Sequence, residues 1–311
     1  ELCRMAEVVR DHGGGLMQTV LGIEGDAVKV CNLLRKIASV GGNRLMTNTS
    51  VGRGPDDGKI MHQRFAEMHA EGFDVTGGCI PRGSGFISGL CNELPCRTPA
   101  WQAFGKLKFD ERVAALNDEA TYARLRDEAI VAVDNKQPDA GVLRAAKGLF
   151  WLGDGEHPNW SAGPEGSMAA MAEAAGEHPA ETFLRISKAT AGRAIFVFRV
   201  FNSNLDSLRD WMVSDHCLPG LGDAGAHVGQ VMDASWSTHV LGYWTRDAGI
   251  YTLQEAIRKM TSQPAHVIGI TDRGTLTPGL AADINVIDYA RVGQYHPQYV
   301  HDFPNGAGRY T

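Results

Sequence analysis

Residues 16–49 read LMQTVLGIEGDAVKVCNLLRKIASVGGNRLMTNT. The stretch opens and closes on two short apolar runs, Leu16–Val20 and Arg44–Thr49, each suited to a buried strand. Between them Val28, Cys31, Leu34 and Ala38 recur at helical spacing, so Val28–Ala38 is expected to be a helix with one apolar side. Strand, helix and strand in that order imply two parallel strands joined by a crossover helix.

The same unit repeats on either side. Upstream, Leu2, Met5, Ala6 and Val9 mark a helix that Gly13, Gly14 and Gly15 stop. Downstream, Lys59–Ala70 is expected to be helical and Phe73–Thr76 to be the next strand. The three strands start at residues 16, 44 and 73, which are 28 and 29 residues apart.

Residues 84–190 break this rhythm. They hold Pro95, Pro99, Pro138, Pro158, Pro164 and Pro179, with Trp101, Phe104, Phe150, Trp151 and Trp160 among them. An excursion this long should carry its own helices, such as Asp110–Val133, and is either a lid over the functional face or a plain packed insertion. The rhythm then resumes. Ala194–Phe201 (AIFVFRVF) reads as a buried strand, and Asn204 is placed to cap a helix over Leu205–Met212. Cys217–Leu221 is a further strand that ends in GDAGAH, residues 222–227. Leu253, Ala256, Ile257 and Met260 give an amphipathic helix, closed by Pro264. After the turn-rich GTLTPG (274–279), the run ADINVID (282–288) alternates like a strand half-buried in a separate sheet.

The chain has 311 residues, 43% of them hydrophobic, enough for a large core and routine for an α/β barrel. The net charge is −6 with Lys and Arg dispersed, which argues against nucleic-acid or anionic-membrane partners. No apolar run is long enough to span a bilayer. Six cysteines, Cys3, Cys31, Cys79, Cys91, Cys96 and Cys217, form no C-x-x-C pair and read as reduced thiols of a cytoplasmic protein. The start at Glu1 lacks both an initiator Met and a leader pattern, and reads as a fragment edge inside a helix.

Barrel enzymes place their chemistry at the carboxyl ends of the strands. The strand ends here supply Gln18 and Val20, then Asn48 and Ser50, then Pro81, Arg82, Gly83 and Ser84, then Asn202, and finally Asp223 and His227. Asp223 follows an apolar strand among small residues that allow close approach of a metal or substrate. A carboxylate there can bind a metal and take a proton from water, or it can simply cap a turn. The eleven histidines include no H-x-H and no H-E-x-x-H. His12-Gly13-Gly14-Gly15 would suit an oxyanion loop, but no G-x-S-x-G elbow accompanies it. Gly54 to Lys59 is one residue short of a P-loop, and Ile60 stands where Ser or Thr is required.

Two longer stretches carry a family resemblance. GDAGAH is similar to the S-D-G-x-x-H loop of the amidohydrolase superfamily, in its branch of N-acyl-D-amino-acid deacylases (D-aminoacylases), with Gly222 in place of Ser. RKMTSQPAHVIGITDRGTLTPGLAADINVID (258–288) resembles that branch's exit helix and its G-x-L-x-P-G-x-x-A-D-x-x-V-x-D signature, and ELCRMAEVVRDHGGGLMQ (1–18) resembles it more weakly. The resemblance implies a (β/α)8 metal-dependent hydrolase barrel, incomplete at its amino end. It covers residues 1–274 with 84–190 inserted, and 275–311 return to a small β-sandwich. It implies cleavage of a linear amide in a small-molecule substrate, an N-acyl amino acid. By this likeness Asp223 is a metal ligand and catalytic, His227 is the catalytic loop histidine, and the metal is divalent, zinc.

Departures from the pattern narrow the expectation. The family's H-x-H has no counterpart here and would lie upstream of Glu1. Two further family histidines would fall near Gln18–Val20 and at Asn48, where no His stands. One ion, held by the missing H-x-H and Asp223, is therefore expected rather than two. Arg82, after Ile80-Pro81, takes the place of a family tyrosine. It suits bidentate capture of a substrate carboxylate, or is a surface Arg in a Gly-rich loop. Asn48, Ser50 and Asn202 complete the expected substrate-facing set. The alternative is a metal-free barrel that binds a ligand or a partner.

Overall fold

The computed structural model describes residues 1–311 apart from 22–25, 43, 52–53, 221 and 223–224. In chain order it begins with helix α1 (Leu2–Asp11), strand β1 (Leu16–Val20), α2 (Ala27–Gly41), β2 (Arg44–Thr49), α3 (Asp57–Ala70), β3 (Val75–Cys79) and β4 (Ser84–Ser88). There follow α4 (Pro99–Gly105), α5 (Phe109–Ala115), α6 (Glu119–Asp134), β5 (Leu149–Trp151), α7 (Met168–Ala175), α8 (Pro179–Ala189) and β6 (Phe196–Phe201). The last part holds α9 (Leu205–Met212), β7 (Cys217–Pro219), α10 (Trp236–His239), a π-helix (Val240–Asp247), α11 (Leu253–Met260), α12 (Ser262–Ile268), β8 (Tyr299–Val300) and β9 (Arg309–Tyr310). The chain divides into two compact units. One is Glu1–Gly83, Phe201–Gly222 and Ser235–Gln294, and the other is Ser84–Val200, Asp223–Ala234 and Tyr295–Thr311.

The first unit is built on the parallel sheet β1-β2-β3-β7. Val20 pairs with Asn48, Thr49 with Cys79, and Cys79 with Pro219, so the carboxyl ends of the strands share one edge. Local chemistry sets the crossovers. Asp26 accepts hydrogen bonds from Val28 and Lys29 N–H to start α2, and Gly42 ends it in the left-handed region at φ 56°. Leu34, Ile37, Leu45, Phe65, Met68, Val75, Trp211 and Trp244 fill the core beneath. Gly77 exists for Trp211. A Cβ on Gly77 would come within 2.5 Å of the indole, while the indole N–H donates to Thr49 Oγ1 at 2.9 Å.

The α/β class with a parallel sheet matches the expectation. Among the described residues the sheet is an open row of four strands. Four local expectations need correction. The strand foreseen at 194–201 does not join the parallel sheet, for β6 runs antiparallel to β5 with Phe198 opposite Leu149 and Phe196 opposite Trp151. A largely apolar run reads alike in both sheet types, and its partner decides. The helix expected over 110–133 is two, because Asp118 accepts from Thr121 N–H and starts α6 afresh. Pro264 does not close α11. It sits in the first turn of α12, where its missing N–H costs nothing. Residues 282–288 form no strand, and Val286 is 98% exposed, because no neighbouring strand pairs with them among the described residues.

The second unit has its own cores. Trp101, Leu125, Phe183, Leu184 and Phe196 anchor one, and Ile87, Phe150, Leu152, Trp160 and Val197 the other. Arg199 is buried there with its guanidinium 3.7 Å from the centre of the Phe150 ring, donating to the Ala162 and Trp160 carbonyls. Among the described residues no helix is long and apolar enough to cross a membrane. All six cysteines are free.

At the amino end of the parallel sheet, the His69 and His216 rings stack at 3.7 Å with a 13° tilt. His69 Nε2 donates to the Val75 carbonyl at 2.7 Å. Burial first, and the neighbouring His69 second, push the His216 imidazole below its ordinary value of 6.5, with His62 and Lys259 acting the same way and Asp215 opposing. The folded state therefore takes up this proton later than the unfolded chain does, so stability falls as acid is added. Unfolding free energy, followed by urea titration across pH, should be level above 6.5 and decline below it. His216→Gln should flatten that decline, and an unchanged slope would remove His216 as its cause.

Candidate active site

Three strand-end loops meet side chains that fix them. On β1 and β2, Gln18 Nε2 donates to Asn48 Oδ1 at 2.9 Å, so the two amides bind each other. Behind them Thr19 Oγ1 donates to Thr47 Oγ1 at 3.3 Å. Ser50 follows β2, half-buried.

Asn202 is the centre of the arrangement. Its backbone holds φ 54°, uncommon for a residue with a side chain, and it is 1% exposed. Its Oδ1 accepts from Val51 N–H at 2.9 Å. Its Nδ2 donates to the Ile80 carbonyl at 2.8 Å and to the Arg82 carbonyl at 3.4 Å. The backbone N–H of Val51 can only donate, so the amide orientation is unambiguous. Trp244, from the π-helix, donates its indole N–H to the Pro81 carbonyl. Three consecutive carbonyls after β3 are thus caught by side chains from distant segments.

Arg82 is 0% exposed, so the surface-arginine reading is corrected. Its Nη1 donates to Ser235 Oγ at 3.2 Å. In the second unit, Ser84 Oγ lies 2.8 and 3.0 Å from the two carboxylate oxygens of buried Asp233. His227 also belongs to the second unit. It is exposed, its carbonyl accepts from Gln230 and Val231 N–H, and its ring stands edge-on to Phe86 at 6.4 Å. Asp223 lies outside the described residues.

The structure therefore joins Asn202 to Arg82 and Asn48 to Gln18. Strand-end reading missed Trp244, Asp233, Ser235 and Gln294, which carry no local motif and sit far along the chain. Among the described residues no three of His, Cys, Asp and Glu cluster as a metal site. The Gln18–Asn48 amide pair is a poor donor set for zinc. The described residues therefore do not fit a metal.

Residues 166–302 match the sequence profile of the Amidohydrolase family, a span that includes β6, β7, the GDAGAH loop and α11. That stretch is similar to the amidohydrolases. Among curated relatives, an N-acyl-D-glutamate deacylase of Alcaligenes xylosoxydans xylosoxydans is 49% identical over 51 residues, 16% of this chain and 10% of that one. A D-aminoacylase of the same organism is 42% identical over 59 residues, 18% of this chain and 12% of that one. The crystal structure of N-acyl-D-glutamate deacylase from Bordetella bronchiseptica, complexed with zinc and a phosphonate inhibitor, superposes at a TM-score of 0.51 with 16% identity. It covers 94% of this chain and 51% of its own. At that identity the likeness speaks for the fold. The chain spans about half the length of that relative.

Asn202→Ala would strand a buried N–H and two carbonyls and leave a Cβ-bearing residue at positive φ without its side-chain anchor. It should cost about 2–4 kcal/mol of stability. Urea unfolding measures this, and a loss under roughly 0.5 kcal/mol, the range of neutral surface changes, would refute the clamp.

Proposed function

We propose that this chain is part of a (β/α)8 amidohydrolase that hydrolyses a linear amide, deacylating an N-acyl amino acid. One observation carries the reading: the family match spans the strand-end loop that holds Asp223 and His227. Residues 1–274 form the barrel part, with 84–190 inserted as a lid or as a plain packed insertion, and 275–311 return to a β-sandwich. The separate cores of the second unit support an insertion that packs on its own.

Asp223 accepts a proton from the attacking water and delivers it to the leaving amine. His227 steadies charge on the carbonyl oxygen or positions the substrate. Arg82 takes the substrate carboxylate, and Asn48, Ser50 and Asn202 shape the site around it. The relative's zinc supports a divalent metal, zinc, in the intact enzyme, one ion rather than two, with Asp223 as a ligand. The enzyme is cytoplasmic and acts on a small molecule, with no nucleic-acid or membrane partner. The Gln18–Asn48 amide pair favours a second reading, a metal-free barrel that only binds ligand.

In the intact enzyme, folded Asp223→Asn should lose on the order of 10²–10⁴-fold in kcat, the range of general acid–base catalysis. His227→Ala should lose less. Parental turnover of N-acyl amino acids by Asp223→Asn would reject the mechanism and favour the binding-protein reading.

Arg82→Ala should raise KM for an N-acyl amino acid while sparing its neutral amide analogue. Equal effects on the two substrates would remove Arg82 from carboxylate recognition.

A further inference from the structure

Arg82 is not held by one hydroxyl in isolation. Ser235 Oγ, which accepts from Arg82 Nη1, also accepts from Gln294 Nε2. Gln294 Nε2 donates in addition to the Ser235 carbonyl at 3.1 Å. A carbonyl only accepts, so the nitrogen end of the Gln294 amide must face Ser235 and its oxygen must face away. That oxygen lies 3.0 Å from His239 Nδ1. An amide oxygen also only accepts, so His239 Nδ1 carries the proton in this contact. His239 is itself fixed, stacked on Tyr243 at 5.1 Å and edge-on to Trp244 at 6.4 Å. His239, Gln294 and Arg82 are 5%, 8% and 0% exposed, so water does not compete strongly for these bonds.

From this we infer that Ser235, Gln294 and His239 are positioning residues that set the direction of the Arg82 guanidinium. The inference rests on the reading of Arg82 as the carboxylate binder. An arginine side chain has many rotamers, and a planar fork captures a carboxylate in two-point fashion only when its plane is fixed. The backbone beneath is already fixed by Asn202 and Trp244, which hold the Ile80, Pro81 and Arg82 carbonyls. Fixing the far end needs a contact on the guanidinium, and Ser235 supplies it. Gln294 in turn fixes Ser235 through both its hydroxyl and its carbonyl, and His239 fixes which way Gln294 points.

The network predicts a selective defect. In the intact enzyme, Ser235→Ala and Gln294→Leu should each raise KM for an N-acyl amino acid about tenfold, the scale of one charge-assisted hydrogen bond. Both should leave kcat and the KM of the neutral amide analogue near parental values. Ser235→Thr keeps the hydroxyl and should restore KM. Arg82→Ala, measured beside them on both substrates, separates the two layers of the argument. If Arg82→Ala is carboxylate-selective and the Ser235 and Gln294 variants are silent or unselective, the positioning role is wrong and the carboxylate reading stands. If Arg82→Ala is itself unselective, the carboxylate reading fails and the inference with it. If Ser235→Ala and Gln294→Leu both fail to fold by circular dichroism, the network is a brace of the fold, and the positioning role is overturned.

Discussion

A parallel strand that leaves its sheet exposes peptide groups that no neighbouring strand will pair. Buried peptide groups must still be bonded, so each strand end demands partners from elsewhere in the chain. After β3 that demand falls on the Ile80, Pro81 and Arg82 carbonyls, and side chains 120 to 163 residues away meet it. Asn202 answers two of them, and with its oxygen also holds Val51 after β2. The loops at this edge are therefore not independent. Their shape depends on one buried amide in a backbone conformation that is tolerated because so many bonds fix it.

The same constraint explains the unusual composition of the sheet. β3 carries Gly77 and Gly78 side by side, which weakens a strand in isolation. Trp211 explains the first of them. Its indole fills the space a Cβ would take at Gly77, and its N–H reaches Thr49 on the next strand. A large aromatic from α9 thus does the packing that β3 side chains give up. The tie is specific, because the indole bonds a hydroxyl whose own register is set by the Thr49–Cys79 pairing.

Much of this fold was legible in the sequence wherever the signal is local. β1, β2 and α9 lie where apolar spacing and the Asn204 cap put them, since those signals act within a few residues. The pairing of β6 was not legible, because a run such as Phe196–Phe201 satisfies either sheet type and only Leu149–Trp151 decides. Residues 282–288 failed for the opposite reason. Their alternation is a strand pattern, but alternation describes a surface, and a ladder needs a second strand. The candidate site divides the same way. Strand-end residues such as Asn48, Arg82 and Asn202 are proposed from position alone. Ser235, Gln294 and Trp244 are found only when the chain is folded, because nothing in their neighbours' sequence marks them as partners of Arg82 and Pro81.

The amide pair at the ends of β1 and β2 shows how such an edge tolerates a change of chemistry. Two imidazoles facing across adjacent parallel strands present lone pairs toward a common point, and an ion placed there relieves their mutual proximity. Two primary amides in the same places need no ion. One donates and the other accepts, as Gln18 Nε2 and Asn48 Oδ1 do. The pair remains bonded at the strand ends without a cation, while the register beneath, Gln18 opposite Met46 and Val20 opposite Asn48, is that of an unbroken parallel ladder. The sheet edge is thus chemically self-sufficient at this point.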